Sequence, residues 1–481
     1  MLGDQISNIM RTIVFILSAL LTAGLSCTSQ YKEISDGWEY MKQIEERIIE
    51  PQFPDRDYLI TDYGAIEGGT HICTEAFNKA IAECSGAGGG RVIVPAGKFL
   101  SGAIHLLDNV ELHLEDDAVI AFSTNEKDYL PVVHTRYEGM ELYNYSPLIY
   151  AYEKENIAVT GKGLLDGQAS GDNWWAKTGK PKYNWKEGMP SSEGPESEAR
   201  LYALMSAGAP VEERIFGEGF SLRPNFIQFF KCKNILIQDV KLIRPPMWML
   251  HPVLSENITI RNVTLTSKDA PNGDGCDPEA CKDVLIENCF FDTGDDCIAI
   301  KSGRNRQGYD LGIPTENVII RNCKMLDGHG GVVIGSELSG GVRNVFAYDC
   351  EMSSPNLDRA LRLKSNAHRG GVVENIYLRN IKVGQVGQAA IRINQNYGSK
   401  EVGIGEKYTL FRNIYVENMT CNKSPYAIQL LGNEKLPIEN IQIIDCTFEN
   451  VEHENVAEFV KGLKLVNVTI NGELVMESAG K

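Results

Sequence analysis

Five aspartates crowd two short stretches of the chain, Asn272-Gly273-Asp274-Gly275-Cys276-Asp277 and Asp292-Thr293-Gly294-Asp295-Asp296-Cys297. If the stretches lie side by side, repulsion among Asp274, Asp295 and Asp296, with partial desolvation, raises at least one pKa and leaves that carboxyl protonated near neutral pH. A protonated acid beside an ionised one is what glycoside hydrolysis uses, one donating to the leaving oxygen and one activating water. The same acids also suit a polar turn stack or a calcium site, so three readings stand at this point. Further on, Arg362-Leu363-Lys364 sets two cations two residues apart, on one side of a strand, where a bidentate fork and a point charge can clamp a carboxylate. Between them His329, flanked by Gly328 and Gly330, is placed to face the same groove and bond the acids or a sugar hydroxyl.

The elements that must carry these residues repeat. From Lys233 onward an Asn or Asp precedes an apolar alternation at Asn234, Asn257, Asp283, Asn317, Asn344, Asn375, Asn413 and Asn440, at intervals of roughly 23 to 38 residues. This pattern predicts an all-β fold, a right-handed single-stranded parallel β-helix whose coils stack about 4.8 Å apart and align equivalent side chains in columns. Asp274 and Asp295 are about one coil apart, so stacking brings the acids together. Strict alternation would turn Asp295 and Asp296 to opposite faces, and Gly294 predicts a corner or bulge that lets both reach the groove. Six residues after each marker stand Val240, Val263, Cys289, Cys323, Cys350, Ile381, Met419 and Cys446. Cysteine alternates there with aliphatic residues, which predicts buried thiols rather than disulfides.

A helical pattern over Thr74 to Cys84 is expected to cap the open N-terminal end of the stack. Residues 28–55 hold one amphipathic helix at most, as a linker ahead of a catalytic solenoid over 56–475. Gln168 to Phe220 is a long insertion of the kind that walls a groove, and its Trp174-Trp175 pair suits either sugar stacking or packing beneath the loop.

The 481 residues are 43% hydrophobic and 23% charged, with net charge −17. That balance excludes a disordered, collagenous or polytopic membrane chain, and it offers nucleic acid no general attraction. A polyanionic ligand would need the basic residues gathered in one place. Arg11 followed by the apolar run Thr12 to Ala23 reads as a secretory signal within residues 1–27, too short to span a bilayer. Gly24-Leu25-Ser26-Cys27 resembles a bacterial lipoprotein cleavage site, with cleavage beside a free Cys27 as the alternative. The expectation is an exported protein, periplasmic, secreted or held at an outer membrane by a lipidated Cys27, and monomeric.

The ordered set Asn272-Gly-Asp274, Asp295-Asp296, Gly328-His329-Gly330 and Arg362-Leu-Lys364 on such a solenoid resembles family 28 glycoside hydrolases, the polygalacturonases, a pectin-lyase-like fold. The resemblance covers about residues 55–475. It implies Asp295 as general acid, Asp274 and Asp296 positioning and deprotonating the water, and hydrolysis with inversion. His329 joins the catalytic set, while Arg362, Lys364, Tyr397 and Asn272 would contact a galacturonate. Inversion implies the wider carboxyl separation, about 6.5–9.5 Å. Gly273 and Leu363 replace the family's Thr and Ile without touching the proton chemistry. Lys301 stands where many endo-acting members have Asn, and Pro246-Met-Trp248-Met-Leu-His251-Pro resembles bacterial exo-acting members. Together with the insertion Arg304 to Thr315, carrying Arg306 and Tyr309, these imply a groove closed at one end, with Lys301 and His251 as further substrate contacts. Trp248 as core packing and Lys301 as a solvated charge are the competing readings.

The implied ligand is a pectic polysaccharide or oligogalacturonide, with no metal or other cofactor. The alternatives are a calcium-dependent pectate lyase, a hydrolase of another galacturonate-containing pectin such as rhamnogalacturonan, and a non-catalytic binding solenoid.

Overall fold

A computed structural model describes residues 34–398 and 407–475. The expectations for the signal segment and Cys27 lie outside the described residues. Successive coils lay their strands into three parallel faces around one apolar core, and parallel crossovers of this kind wind right-handed. The first face has 13 strands, from Asp57–Leu59 to Val460–Val466. Within it Ile235, Ile258, Val284, Val318, Val345, Ile376, Ile414 and Ile441 form one in-register buried column.

The residue before each of these turns the corner into the strand in the left-handed region, with φ between 52° and 62° from Asn234 to Asn440. Only Asn, Asp and Gly occupy that region cheaply. Their side chains form a ladder: Asn344 donates to Asn317 at 3.1 Å, Asn375 to Asn344 at 3.1 Å, and Asn440 to Asn413 at 2.9 Å. The marker residue therefore does two jobs that the sequence pattern alone did not separate. The column from Val240 to Cys446 is buried throughout, and all eleven cysteines among the described residues are free and buried.

The helix Thr74–Gly86 turns Ala76, Phe77, Ala80, Ile81 and Cys84 onto the open end of the stack. A second helix, 34–45, crosses the outside of the first face. There Trp38, Met41 and Ile44 pack on outward side chains including Phe346, Tyr377 and Tyr415. In the insertion, Trp174 is buried against Tyr129 and Tyr145, and Trp175 Nε1 donates to the Pro245 carbonyl at 2.9 Å. The Trp pair is packing.

The third face carries the chemistry. Its strands lapse after Ile227–Phe230 and resume at Ile298–Ile300, and single bridges Ile227↔Leu250, Leu250↔Cys276 and Cys276↔Ile298 keep the register across the gap. The two coils without regular strands are those bearing His251 and Asp274.

Candidate active site

The bridge Cys276↔Ile298 places Asp274 and Asp296, each two residues earlier, on one column of adjacent rungs. Asp295 joins them because the chain turns at Gly294, where a Cβ would collide with the carbonyl oxygens of Ser267 and Ala270. One oxygen from each of the three aspartates lies within 4.8 Å of the others. The convergence matches the expectation, and these oxygens are close enough to share one water between them.

The next rung adds His329, in register with Asp295: its amide donates to the Asp295 carbonyl at 3.0 Å, and Nδ1 lies 2.9 Å from Asp295 Oδ1. Gly330, beside it, carries no side chain, and Arg362 and Lys364 reach past that rung to Asp296. Arg362 Nη1 donates to Oδ1 at 3.0 Å and Lys364 Nζ to Oδ2 at 2.6 Å. Tyr397 lines the cleft with its ring 5.5 Å from each of these cations. Asn272 also lines it, with Oδ1 held by Arg223 at 2.6 Å.

Lys301 is no solvated charge. It is 2% exposed, with Nζ 3.2 Å from Glu337, 3.4 Å from Asp277, 3.8 Å from Asp274 and 4.3 Å above the Trp248 ring. Trp248 is both packed and at the cleft, since it borders the same cavity as Lys301.

Electrostatics divides the acids. Burial raises Asp274 well above the usual carboxylate range, and Asp277 and Asp295 push it the same way. Burial likewise pushes Asp277 up to about 8. Burial would raise Asp296 too, but Lys364 and Arg362 outweigh it and hold the group low. At Asp295 burial is outweighed by the hydrogen bond and charge of His329, with Lys364 and Arg362 adding to the effect. His329 is raised in return, chiefly by its bond to Asp295. The expected raised acid exists, and it is Asp274; Asp295 is instead held low against a His329 that is raised. Each acid already faces a cation, and a divalent ion placed among them would sit against Lys301, Arg362 and Lys364. The arrangement suits proton transfer better than metal binding.

The cavity over these groups has a volume of about 280 Å³, near the small end for ligand pockets. Its walls come from elsewhere in the chain. Tyr137 and Glu138 arrive on a hairpin, Thr178, Lys180, Ser192 and Glu198 from the insertion, and Arg304, Glu337 and Arg369 from later coils. Arg304 pairs with Glu138 at 2.8 Å and Glu198 at 3.4 Å, while burial, then Glu198, pushes Glu138 up to about 7. Sequence reasoning missed Glu138, Glu198, Glu337 and Arg369. The one available signal was the alternation around Glu138-Gly139, a two-residue hairpin turn.

One expected contact does not face the cleft, and two residues of the Arg304 to Thr315 insertion are also turned to other partners. His251 is fully buried, with Nε2 2.9 Å from Glu279 and Nδ1 occupied by Asn225 and Gln228. Its assignment as a substrate contact is corrected to a supporting position, because its coil turns the ring beneath the wall. Arg306 pairs with Asp310, and the Tyr309 hydroxyl donates to the His368 carbonyl.

Residues 218–476 match the family model for glycosyl hydrolases family 28. The crystal structure of a hyperthermoactive exopolygalacturonase from Thermotoga maritima is 45% identical, covering 91% of this chain and 96% of that one with a TM-score of 0.87. A probable polygalacturonase of Vitis vinifera is 29% identical over 403 residues, 81% of this chain and 73% of the relative. An exo-poly-alpha-D-galacturonosidase of Dickeya chrysanthemi is 27% identical over 423 residues, 83% of this chain and 67% of the relative.

Proposed function

The chain belongs to glycosyl hydrolase family 28, and from that membership we propose that it hydrolyses the galacturonosyl linkages of polygalacturonate and its oligomers from a chain end. The observation that carries the reading is the convergence of Asp274, Asp295 and Asp296 within 4.8 Å beside two cations suited to a uronate carboxylate.

Asp295, with the proton it shares with His329, donates to the leaving glycosidic oxygen as that bond breaks. A water held between Asp274 and Asp296 attacks the anomeric carbon and gives its proton to this pair. At rest Asp274 is the acid that favours a proton; the productive microstate moves it away, leaving Asp274 ionised and the proton on the Asp295–His329 pair, since protons redistribute among groups this close as a set. Asp296 has both oxygens bound to cations, which makes it a poor nucleophile. Water therefore attacks, and the configuration inverts. Arg362 and Lys364, with Tyr397 beside them, hold the sugar carboxylate next to the scissile bond.

Attack at a chain end is supported by the walls. The hairpin and the insertion enter the same small cavity as the acids, and Lys301, Arg304 and Arg369 give it cations for a terminal uronate. The 45% identical Thermotoga maritima exopolygalacturonase supports the same mode. Product analysis on oligogalacturonides tests it: monomer from the first time point is expected, and a mixed ladder would refute end attack.

The apolar Thr12 to Ala23 run supports export, and Gly24-Leu25-Ser26-Cys27 supports lipid attachment at Cys27. Among the described residues no helix is long and apolar enough to cross a membrane. Release of a Cys27→Ala variant from the membrane fraction would support the lipid anchor, and an unchanged distribution would refute it.

A further inference from the structure

His251 and the fully buried Arg136 belong to one network beneath the cleft wall. Arg136 stands in the hairpin formed by Val133–Tyr137 and Met140–Asn144, whose turn residues Glu138 and Gly139 both have positive φ. Its Nη1 donates to Glu279 at 2.9 Å and its Nη2 to Glu141 at 2.7 Å. Glu279 also accepts from His251 Nε2 at 2.9 Å, while the amide of Gln228 donates to the Arg136 carbonyl at 3.1 Å and to His251 Nδ1 at 2.9 Å. Burial holds His251 below its ordinary pKa, so the ring is neutral with its proton on Nε2, facing the carboxylate.

The contacts advance along the solenoid. Thr135 bonds Gln228, Arg136 reaches Glu279 two coils on, and the Gly139 carbonyl accepts from the Arg304 amide at 3.1 Å on the next coil. The hairpin thus lies across the rungs and delivers its turn into the cleft, where Tyr137 and Glu138 border the cavity of Asp274 and Asp295. The turn is seated closely: a Cβ on Gly139 would fall 2.7 Å from the Arg304 nitrogen. On its other side Tyr137, Met140 and Leu142 meet Leu201, Met205 and Trp248. Apolar contacts of that kind tolerate sliding, whereas a buried ion network with fixed donors sets one register.

We propose that Arg136 is a positioning residue: its buried bond to Glu279 latches the hairpin across the end of the cleft and thereby confines cleavage to the chain terminus. This rests on the end-attack reading above. The latch makes no contact with the reacting atoms, so it acts on product pattern and not on bond breaking.

The test is the early product distribution from polygalacturonate. Arg136→Met combined with Glu279→Gln removes both charges at similar volume, Glu279→Asp withdraws the carboxylate while keeping its charge, and Arg136→Lys retains the cation. The double variant and Glu279→Asp are expected to lose monomer-only release and show oligomers among the first products, while Arg136→Lys keeps more of the wild-type pattern. If the double variant does not fold, Glu279→Asp decides. Folded variants that still release monomer alone would overturn the latch. A ladder from the wild-type protein would overturn end attack itself, so the two failures are distinguishable.

Discussion

Two columns of polar side chains climb this solenoid, and they differ in kind. At the corner of the first face, neutral amides donate one to the next, Asn440 to Asn413 and Asn375 to Asn344, each satisfying the rung before it. At the cleft, Asp274, Asp296 and their neighbours are stacked by the same register, but charges cannot satisfy one another in that way. They are held by cations reaching over from later rungs, and their pKa values are driven apart. One geometry therefore gives stability where the stacked groups are dipoles and reactivity where they are ions.

The largest effect that sharpens this contrast is expected from Asp295→Asn, which removes the proton donor. Turnover should fall at least about 10²–10⁴-fold while the thermal midpoint stays near that of the wild type. Normal turnover would break the contrast. Next, Arg362→Ala strips one cation from Asp296 and from the bound uronate. Losing a charged hydrogen bond of about 1.5–3 kcal/mol should lower kcat/KM by about ten- to a hundredfold, read by steady-state kinetics on oligogalacturonides.

In the amide column the balance reverses. Asn344→Ala should cost about 2–3 kcal/mol in denaturant unfolding, from the ladder bond and from a left-handed φ of 58° that alanine resists. Asn344→Gly should cost only the bond, about 1 kcal/mol, and both should leave kcat unchanged. The smallest expected effect is in the pH profile. Asp295 raises His329, so the imidazolium persists above the ordinary value near 6.5. Its contribution to stability is full below that value and fades as pH rises through the raised one, and activity should fall over the same interval. His329→Gln should remove that alkaline limb, and a limb that stays in place would assign it to another group.

Much of the fold was legible because each coil repeats a marker and an apolar alternation, and the buried column holding Cys289, Cys323, Cys350 and Cys446 was legible by the same register. The acids and their clamp were legible because stacking converts a separation of one coil into contact. The walls were not. Glu138, Glu337 and Arg369 come from segments that obey no period, and nothing in their local sequence says which rung they will meet. His251 misled for a related reason: the stretch Pro246 to Pro252 implied a substrate contact by its resemblance to exo-acting members alone, whereas the third face loses its regular strands there and the ring turns inward onto Glu279. The approach of Asp295 to the other two acids was legible, by contrast, because Gly294 marks the corner at which strict alternation gives way.

In the proposed reaction the aspartate cluster activates water directly against a galacturonosyl linkage. Proton NMR of trigalacturonate during the first turnovers tests it most directly. β-Configured galacturonate is expected first, before mutarotation, with no unsaturated sugar and no sensitivity to chelator. Initial release of the α-anomer, or of an unsaturated end that disappears with chelator, would contradict it.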